Sequence, residues 1–368
     1  MVDVIRPDRL KLAEGSLEPG IFVYEPISDN LSDKVGILRH CTAEKLAFRK
    51  KGQEGFVSLE VNSNMLSEGD VLASDGRGNL RVLLSKKANQ NTLLLTDECN
   101  NRCTFCSQPP KSSGHYFKDA TLALQSYEGE GVIGLTGGEP TLFWGDFITF
   151  VKSTSELKRF HFHLLSHGRN FGDIEKVNAL NEYDFAKKTL FGIPFHGPSD
   201  AFHDQVTGSI GSFDQTMRGV QNLAFIGAAL ELRIILTQQI TPVLIDTVEM
   251  LWSHFRWARP TIAIMQLEPV GWANKHYEFL YVDPHKMQAV WDQLSDLIGR
   301  TSCRVALYNF PTCQLPESLR NQAHQSISDW KNYFPDECSM CIEKTNCCGF
   351  FSSSTGRAAP LARPISGI

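Results

Sequence analysis

Cys99, Cys103 and Cys106 stand in the run Thr96-Asp97-Glu98-Cys99-Asn100-Asn101-Arg102-Cys103-Thr104-Phe105-Cys106, a C-x3-C-x2-C spacing that follows an apolar, strand-like stretch. Three thiolates this close can grip three irons of a cubic [4Fe–4S] cluster and leave the fourth iron without a protein ligand. An iron with an open coordination position is a chemical site, whereas a cluster held by four cysteines mainly carries electrons. A structural zinc site is the competing use. It needs a fourth Cys or His to close its tetrahedron, and none lies nearby in the sequence.

Two further groups of residues could carry chemistry. The next apolar stretch ends in Leu135-Thr136-Gly137-Gly138-Glu139-Pro140-Thr141. Its two glycines let backbone come close to a ligand, and Glu139 can accept hydrogen bonds from an ammonium group. Taken alone, the run reads equally well as a tight turn between a strand and a helix. Near the C-terminal end, Cys338-Ser339-Met340-Cys341 is followed by Cys347-Cys348-Gly349-Phe350-Phe351, a C-x2-C-x5-C spacing. Cys313, in the turn Pro311-Thr312-Cys313, can supply a fourth ligand, with Cys303 as a rival. Four thiolates fit Zn²⁺ or a fully ligated cluster, and spacing does not decide between them. Adjacent residues cannot easily both ligate one metal, so Cys347 and Cys348 compete for one place.

Other candidates are weaker. His161, His163 and His167 share one strand face at period two, and without a neighbouring carboxylate or thiolate group they read as structural or surface residues. His40-Cys41 reads as a buried thiol beside a histidine. Arg233 is a charge inside the apolar run Leu232–Leu236 and requires a partner.

Residues 89–300 hold the elements that must position these groups. Strands are predicted at Thr92–Leu95, Val132–Leu135, Phe160–Leu165, Thr189–Ile193, Leu232–Leu236 and Thr261–Leu267. Helical stretches fall near 118–128, 145–157, 172–183, 214–227, 243–256 and 284–298. Such alternation predicts an α/β fold with a parallel sheet, either open or an incomplete barrel, with ligands gathered at the C-terminal ends of the strands. The cysteine triplet lies just after the first strand. Residues 1–88 read as a small β-rich domain, with segments such as Gly20–Tyr24 and Asn79–Leu84 and hairpin signals at Asp75-Gly76 and Arg77-Gly78. Residues 301–368 form a Cys-rich extension ending in a flexible tail, Ser352-Ser353-Ser354-Thr355-Gly356-Arg357-Ala358-Ala359-Pro360.

The bulk numbers set outer bounds. At 368 residues and net charge −5 the chain can bury a full core, and its Lys/Arg pairs are scattered rather than striped. That argues against a broad nucleic-acid surface. The opening residues lack the apolar centre of a secretory signal, and the most apolar stretch, 223–236, is too short and polar to span a bilayer. The expectation is a cytoplasmic protein without membrane attachment, in which ten cysteines serve metal or catalysis rather than disulfides.

The cysteine triplet, followed one βα unit later by Gly-Gly-Glu-Pro, resembles the radical S-adenosylmethionine (SAM) enzymes over roughly residues 89–275. The resemblance implies a partial (β/α)6 barrel and a [4Fe–4S] cluster on Cys99, Cys103 and Cys106. SAM would chelate the open iron, with Gly137, Gly138 and Glu139 receiving its ammonium and Phe105 lying against its adenine. An external electron donor would feed the cluster, and cleavage of SAM would yield a 5′-deoxyadenosyl radical that abstracts a substrate hydrogen. Ser166 fits a polar contact to SAM. Arg233 fits either the SAM carboxylate or an internal salt bridge, and the run Gln266–Gly271 would bring backbone to the adenine.

A closer likeness lies further along the chain. Ser326-Ile327-Ser328-Asp329-Trp330-Lys331-Asn332 with the following cysteines is similar to the C-type radical SAM maturases of the His-Xaa-Ser system. Tyr308-Asn309, Phe202-His203-Asp204 and Gly211-Ser212-Phe213-Asp214 match as well. This resemblance implies post-translational modification of a ribosomally made precursor peptide bearing His-Xaa-Ser repeats. It also implies a second radical SAM maturase, a small accessory protein, and an auxiliary cluster (or zinc) on Cys313, Cys338, Cys341 and Cys347. Cys348 departs from the pattern, which has one cysteine before the glycine. Rival readings are a radical SAM enzyme acting on a small metabolite or RNA, and a non-catalytic partner that uses the same fold to bind peptide or a second maturase.

Overall fold

A computed structural model describes residues 10–11, 20–24, 36–42, 45–49, 57–60, 66–74, 79–112, 114–326, 331–357 and 359–366. The Asp75-Gly76 and Arg77-Gly78 signals, and Ile327–Trp330 of the 326–332 motif, lie outside the described residues. Two compact units divide the chain: Met1–Asp97 with Ser113–His163, and Glu98–Ser112 with Leu164–Ile368.

The first unit contains seven short strands: β1 (Leu10–Lys11), β2 (Gly20–Tyr24), β3 (Gly36–Thr42), β4 (Lys45–Arg49), β5 (Val57–Glu60), β6 (Val71–Ser74) and β7 (Asn79–Leu84). They form one sheet in the order β1-β7-β6-β2-β3-β4-β5, parallel only between β2 and β3. This is the β-rich N-terminal part. The same unit carries β8 (Asn91–Thr96), α1 (Phe117–Ser126), β9 (Gly131–Gly137) and α2 (Trp144–Thr154). Helix α1 buries Phe117, Ala120, Ala123 and Leu124, and α2 buries Phe147, Phe150, Val151 and Thr154. The three- and four-residue spacing gives each helix one apolar stripe.

Strand β10 (Phe160–Leu165) spans the boundary between the units. Four strands follow in the second: β11 (Thr189–Pro194), β12 (Ala229–Ile235), β13 (Thr261–Met265) and β14 (Val305–Tyr308), then the two-residue β15 (Ala323–His324). Its helices are α3 (Ile174–Glu182), α4 (Asp200–Thr207), α5 (Ser212–Phe225), α6 (Leu244–Phe255), α7 (Gly271–Lys275), α8 (Tyr277–Leu280) and α9 (Gln288–Thr301). Strands β8 to β15 form one parallel sheet in unbroken chain order. A doubly wound sheet reverses its order at a switch point, whereas a winding barrel does not. The order therefore selects the partial barrel over the open doubly wound sheet.

Two outcomes differ from the sequence expectation. The sheet continues past six strands, because β14 pairs with β13 (Ile264↔Leu307) and β15 with β14. Within the stretch Ser352–Pro360, expected as a flexible tail, the Arg357 guanidinium sits 4.3 Å from the Tyr277 ring centre, and just past it Leu361 C=O accepts from His285 Nε2 at 3.0 Å. Among the described residues no helix is long and apolar enough to cross a membrane.

Candidate metal centres

The cysteine loop 98–112 lacks regular structure, so its shape rests on what its backbone and asparagines bond within the second unit. Two amides reach the last turn of α4: Arg102 N–H donates to Thr207 C=O at 2.7 Å and Thr104 N–H to Val206 C=O at 3.1 Å. On the other side Trp272 N–H donates to Cys106 C=O at 2.8 Å. Gly271 stands at φ 58°, and a Cβ there would fall 2.5 Å from Ser107 O, so only glycine permits this approach. The segment after β10 holds the loop's asparagines. His167 Nδ1 accepts from Arg169 N–H, which leaves Nε2 to donate to Asn100 Oδ1 at 2.7 Å. Arg169 Nη1 donates to Asn101 Oδ1 at 2.6 Å and to Ser209 Oγ at 2.9 Å.

Burial, reinforced by the neighbouring Cys106 and Cys99, pushes the Cys103 thiol up to about 12, and burial also raises Cys106. Two thiols that resist ionisation, with a third beside them on the same loop, are a donor set that a cationic group would relieve. Phe105 lies in an apolar cluster with Val206, Leu267, Ala273, Tyr277 and Leu280, edge-on to His196 at 5.1 Å. His196 is buried, and its Nδ1 has no hydrogen-bond partner. Burial, then the neighbouring His203, keeps its ring neutral.

The glycine turn belongs to the first unit and is bonded to the end of β8. Gly138 N–H donates to Thr96 C=O at 2.8 Å, three residues before Cys99. Gly137 stands at φ 152°, and a Cβ would lie 2.2 Å from Thr96 O, so this turn requires glycine. Glu139 is fully buried, and its Oε1 accepts from Thr141 N–H at 2.9 Å and from the Thr141 hydroxyl. Its carboxylate is held in place from within the turn.

Ser166 is buried one residue past β10, where its Oγ accepts from Gly168 N–H at 3.0 Å. Arg233 has a protein partner. Its Nε donates to Glu231 Oε1 at 2.5 Å, and Tyr308 O–H donates to Glu231 Oε2 at 2.7 Å.

At the C-terminal end one pocket is lined by Cys313, Cys338, Cys341 and Cys347, with Phe334 and Phe350 among its walls. Cys303 and Cys348 are both buried, and neither lines it. Cys347 Sγ accepts from Thr312 N–H at 3.3 Å and Gly349 N–H at 3.4 Å. A hydrogen bond from Cys348 and these backbone donors outweigh burial and bring the Cys347 thiol down to about 5, while the same bond and burial push Cys348 up. Among the described residues no three Cys, His, Asp or Glu side chains converge on a point where a single metal ion would sit.

With this geometry in place, the comparisons identify the barrel. The model of the radical SAM superfamily matches residues 93–257, which run from β8 past α6. This segment is a radical SAM domain. The chain is similar to the GTP 3',8-cyclase of Haemophilus influenzae strain PittEE, 31% identical over 141 residues, 35% of this chain and 39% of that one. It is also similar to the enzyme of strain PittGG, 29% identical over 152 residues, 37% and 41% of the two chains. The chain thus spans about two-fifths of the length of these curated relatives. Among solved structures it is similar to Streptococcus suis SuiB bound to precursor peptide SuiA (14% identity, TM-score 0.45, 59% of this chain and 47% of that one). It is similar as well to anSMEcpe with bound AdoMet (17%, TM-score 0.45, 59% and 63%).

A radical SAM domain implies a [4Fe–4S] cluster and SAM. The donor set fits the first, since three soft thiols on one loop suit iron–sulfur ligation. Sequence reasoning passed over the residues that anchor this loop: Asn100 with His167, Asn101 with Arg169, the α4 carbonyls and Trp272. Their partners lie tens of residues away or more, and the one local signal was the third histidine of the 161–167 stripe.

Proposed function

We propose that this protein is a radical SAM enzyme that modifies a ribosomally made precursor peptide, probed most directly as one bearing His-Xaa-Ser repeats. In this reading Cys99, Cys103 and Cys106 hold the cluster, and Gly137, Gly138, Glu139, Phe105, Ser166 and Arg233 hold SAM. When bound, that pair supplies a 5′-deoxyadenosyl radical able to take a hydrogen atom from an unactivated carbon. The chain's own work is orientation and shielding. Glu139, fixed by Thr141, presents a carboxylate for an ammonium, and Phe105 offers an apolar face. The ion pair with Glu231 engages the Nε of Arg233, one of the five N–H donors of a guanidinium. An external donor supplies the electron, and the cytoplasm is the proposed location.

The observation that carries the reading is the radical SAM match over the cysteine loop and the Gly-Gly-Glu turn. Support for a peptide substrate comes from the likeness of 326–351 to His-Xaa-Ser maturases and from the four-thiol pocket, proposed as an auxiliary iron–sulfur site. A second maturase and a small accessory protein complete the proposed system. The similarity to GTP 3',8-cyclases favours a second reading, in which the substrate is a nucleotide. Co-expression with a His-Xaa-Ser precursor and the accessory proteins separates the two. A mass change in the peptide, absent with Cys106→Ala, supports peptide modification. An unchanged peptide beside active SAM cleavage sinks it.

A further inference from the structure

The C-terminal pocket has a wall that comes from outside its cysteine motifs. Pro364 lines it beside Cys313, Cys338, Cys341 and Cys347. The next residue, Ile365, is tied to the Cys341-Ile342 step in both directions. Ile365 N–H donates to Cys341 Sγ at 3.4 Å, and Ile342 N–H donates to Ile365 C=O at 3.1 Å. The Arg363 backbone lies near the Cys313 thiol and works against the burial that raises it. Upstream, Leu361 and Ala362 pack against the Cys338–Phe350 cluster, and Leu361 C=O accepts from His285. The segment is anchored at both of its ends, and the Ile365 amide is spent on sulfur.

Such bonds have a chemical consequence. A thiolate bound to a metal carries excess electron density, and an N–H directed at it stabilises that density. For a cluster this favours the reduced form and raises the potential; for any metal it slows release of the ligand. An exposed tail needs neither effect.

We propose that residues 361–366 form a strap belonging to the C-terminal metal site, with Ile365 as a positioning residue whose N–H holds Cys341 as a ligand. The ligand class is a thiolate-bound iron–sulfur group, whose several irons do not require the four sulfurs to meet at one point. This rests on the four-thiol site put forward above. Cys347 receives the same treatment from Gly349 of its own motif and from Thr312 beside Cys313, and the strap supplies it for Cys341.

The test compares Ile365→Pro, which deletes the N–H donor, with Ile365→Ala, which keeps it, in full-length protein purified without oxygen. Iron and zinc are counted, and loss of the second metal group to a chromogenic chelator is timed. The expected result is loss about tenfold faster in Ile365→Pro, the lower end for outer-shell partners of metal ligands, and unchanged in Ile365→Ala. If the group is a cluster, its midpoint potential falls in the Pro variant alone. Equal rates in Pro and wild type overturn the strap and leave the four-thiol site standing. Wild-type protein with no second metal group overturns the site, and the strap with it. Should Ile365→Pro not fold, hydrogen exchange on unmutated protein decides: amides of 361–366 slow on metal loading if the strap is correct and are indifferent if it is not.

Discussion

Cys347 and Cys348 are neighbours in sequence with opposite surroundings. Cys347 faces the pocket and takes two backbone N–H bonds, whereas Cys348 is buried away from it. Cys347→Ala is therefore expected to lose the second metal group, while Cys348→Ala retains it; metal analysis of the two variants checks this. A similar contrast governs Arg233. Its partner Glu231 sits two residues earlier on the same strand, hence on the same face, and is almost wholly buried. That pairing was present in the sequence, but periodicity alone could not choose between Glu231 and a ligand carboxylate. Arg233→Met leaves Glu231 buried without its counter-charge and is expected to destabilise the fold by about 3 kcal/mol, read as a lower urea midpoint.

Helices α4 and α5 explain how the cysteine loop is held. Asp204, on α4, accepts from Ser212 Oγ at 2.7 Å, Phe213 N–H at 2.8 Å and Gly211 N–H at 2.5 Å, so it caps α5 from a neighbouring helix. Two turns of sequence noted for their resemblance, Phe202-His203-Asp204 and Gly211–Asp214, are thus joined by one carboxylate. With α4 fixed in this way, its last carbonyls meet Arg102 and Thr104 of the loop. Asp204→Ala is expected to cost about 1–2 kcal/mol, the usual range for a lost cap, and to weaken iron retention on Cys99, Cys103 and Cys106. Burial would raise the Asp204 carboxyl, but the Ser212, Phe213 and Gly211 donors prevail and hold it below its ordinary value. A group depressed in the folded state stabilises fully above its unfolded pKa, about 3.9, and loses that contribution as pH falls through the folded value. The thermal-stability gap between wild type and Asp204→Asn should therefore be constant near neutrality and close below about pH 4. Helix α4 itself was not foreseen, since eight residues between Ser199 and Gly208 show too little apolar periodicity to stand out.

At the scale of the whole chain, the barrel was the most legible part. Each predicted strand from 92 to 267 lies on an observed one within three residues, because buried parallel strands are written as continuous apolar runs. The extension through β14 and β15 was not visible. Val305–Tyr308 is four residues long, and β15 only two, so neither leaves a pattern that differs from a loop. The cysteine loop was readable as a metal centre from spacing alone, while the contacts that shape it join residues 65 or more positions apart in the case of His167 and Arg169 and leave no local trace. Stripping iron from the protein without oxygen is expected to lower its melting temperature, since a group that binds only the folded state stabilises it by mass action. The central claim concerns what that iron does. The most direct measurement incubates anaerobically reconstituted, dithionite-reduced protein with SAM and quantifies 5′-deoxyadenosine by chromatography and mass spectrometry. Multiple turnovers by wild type, and none by Cys106→Ala, are expected; iron-replete wild type that yields no 5′-deoxyadenosine would contradict the radical SAM account.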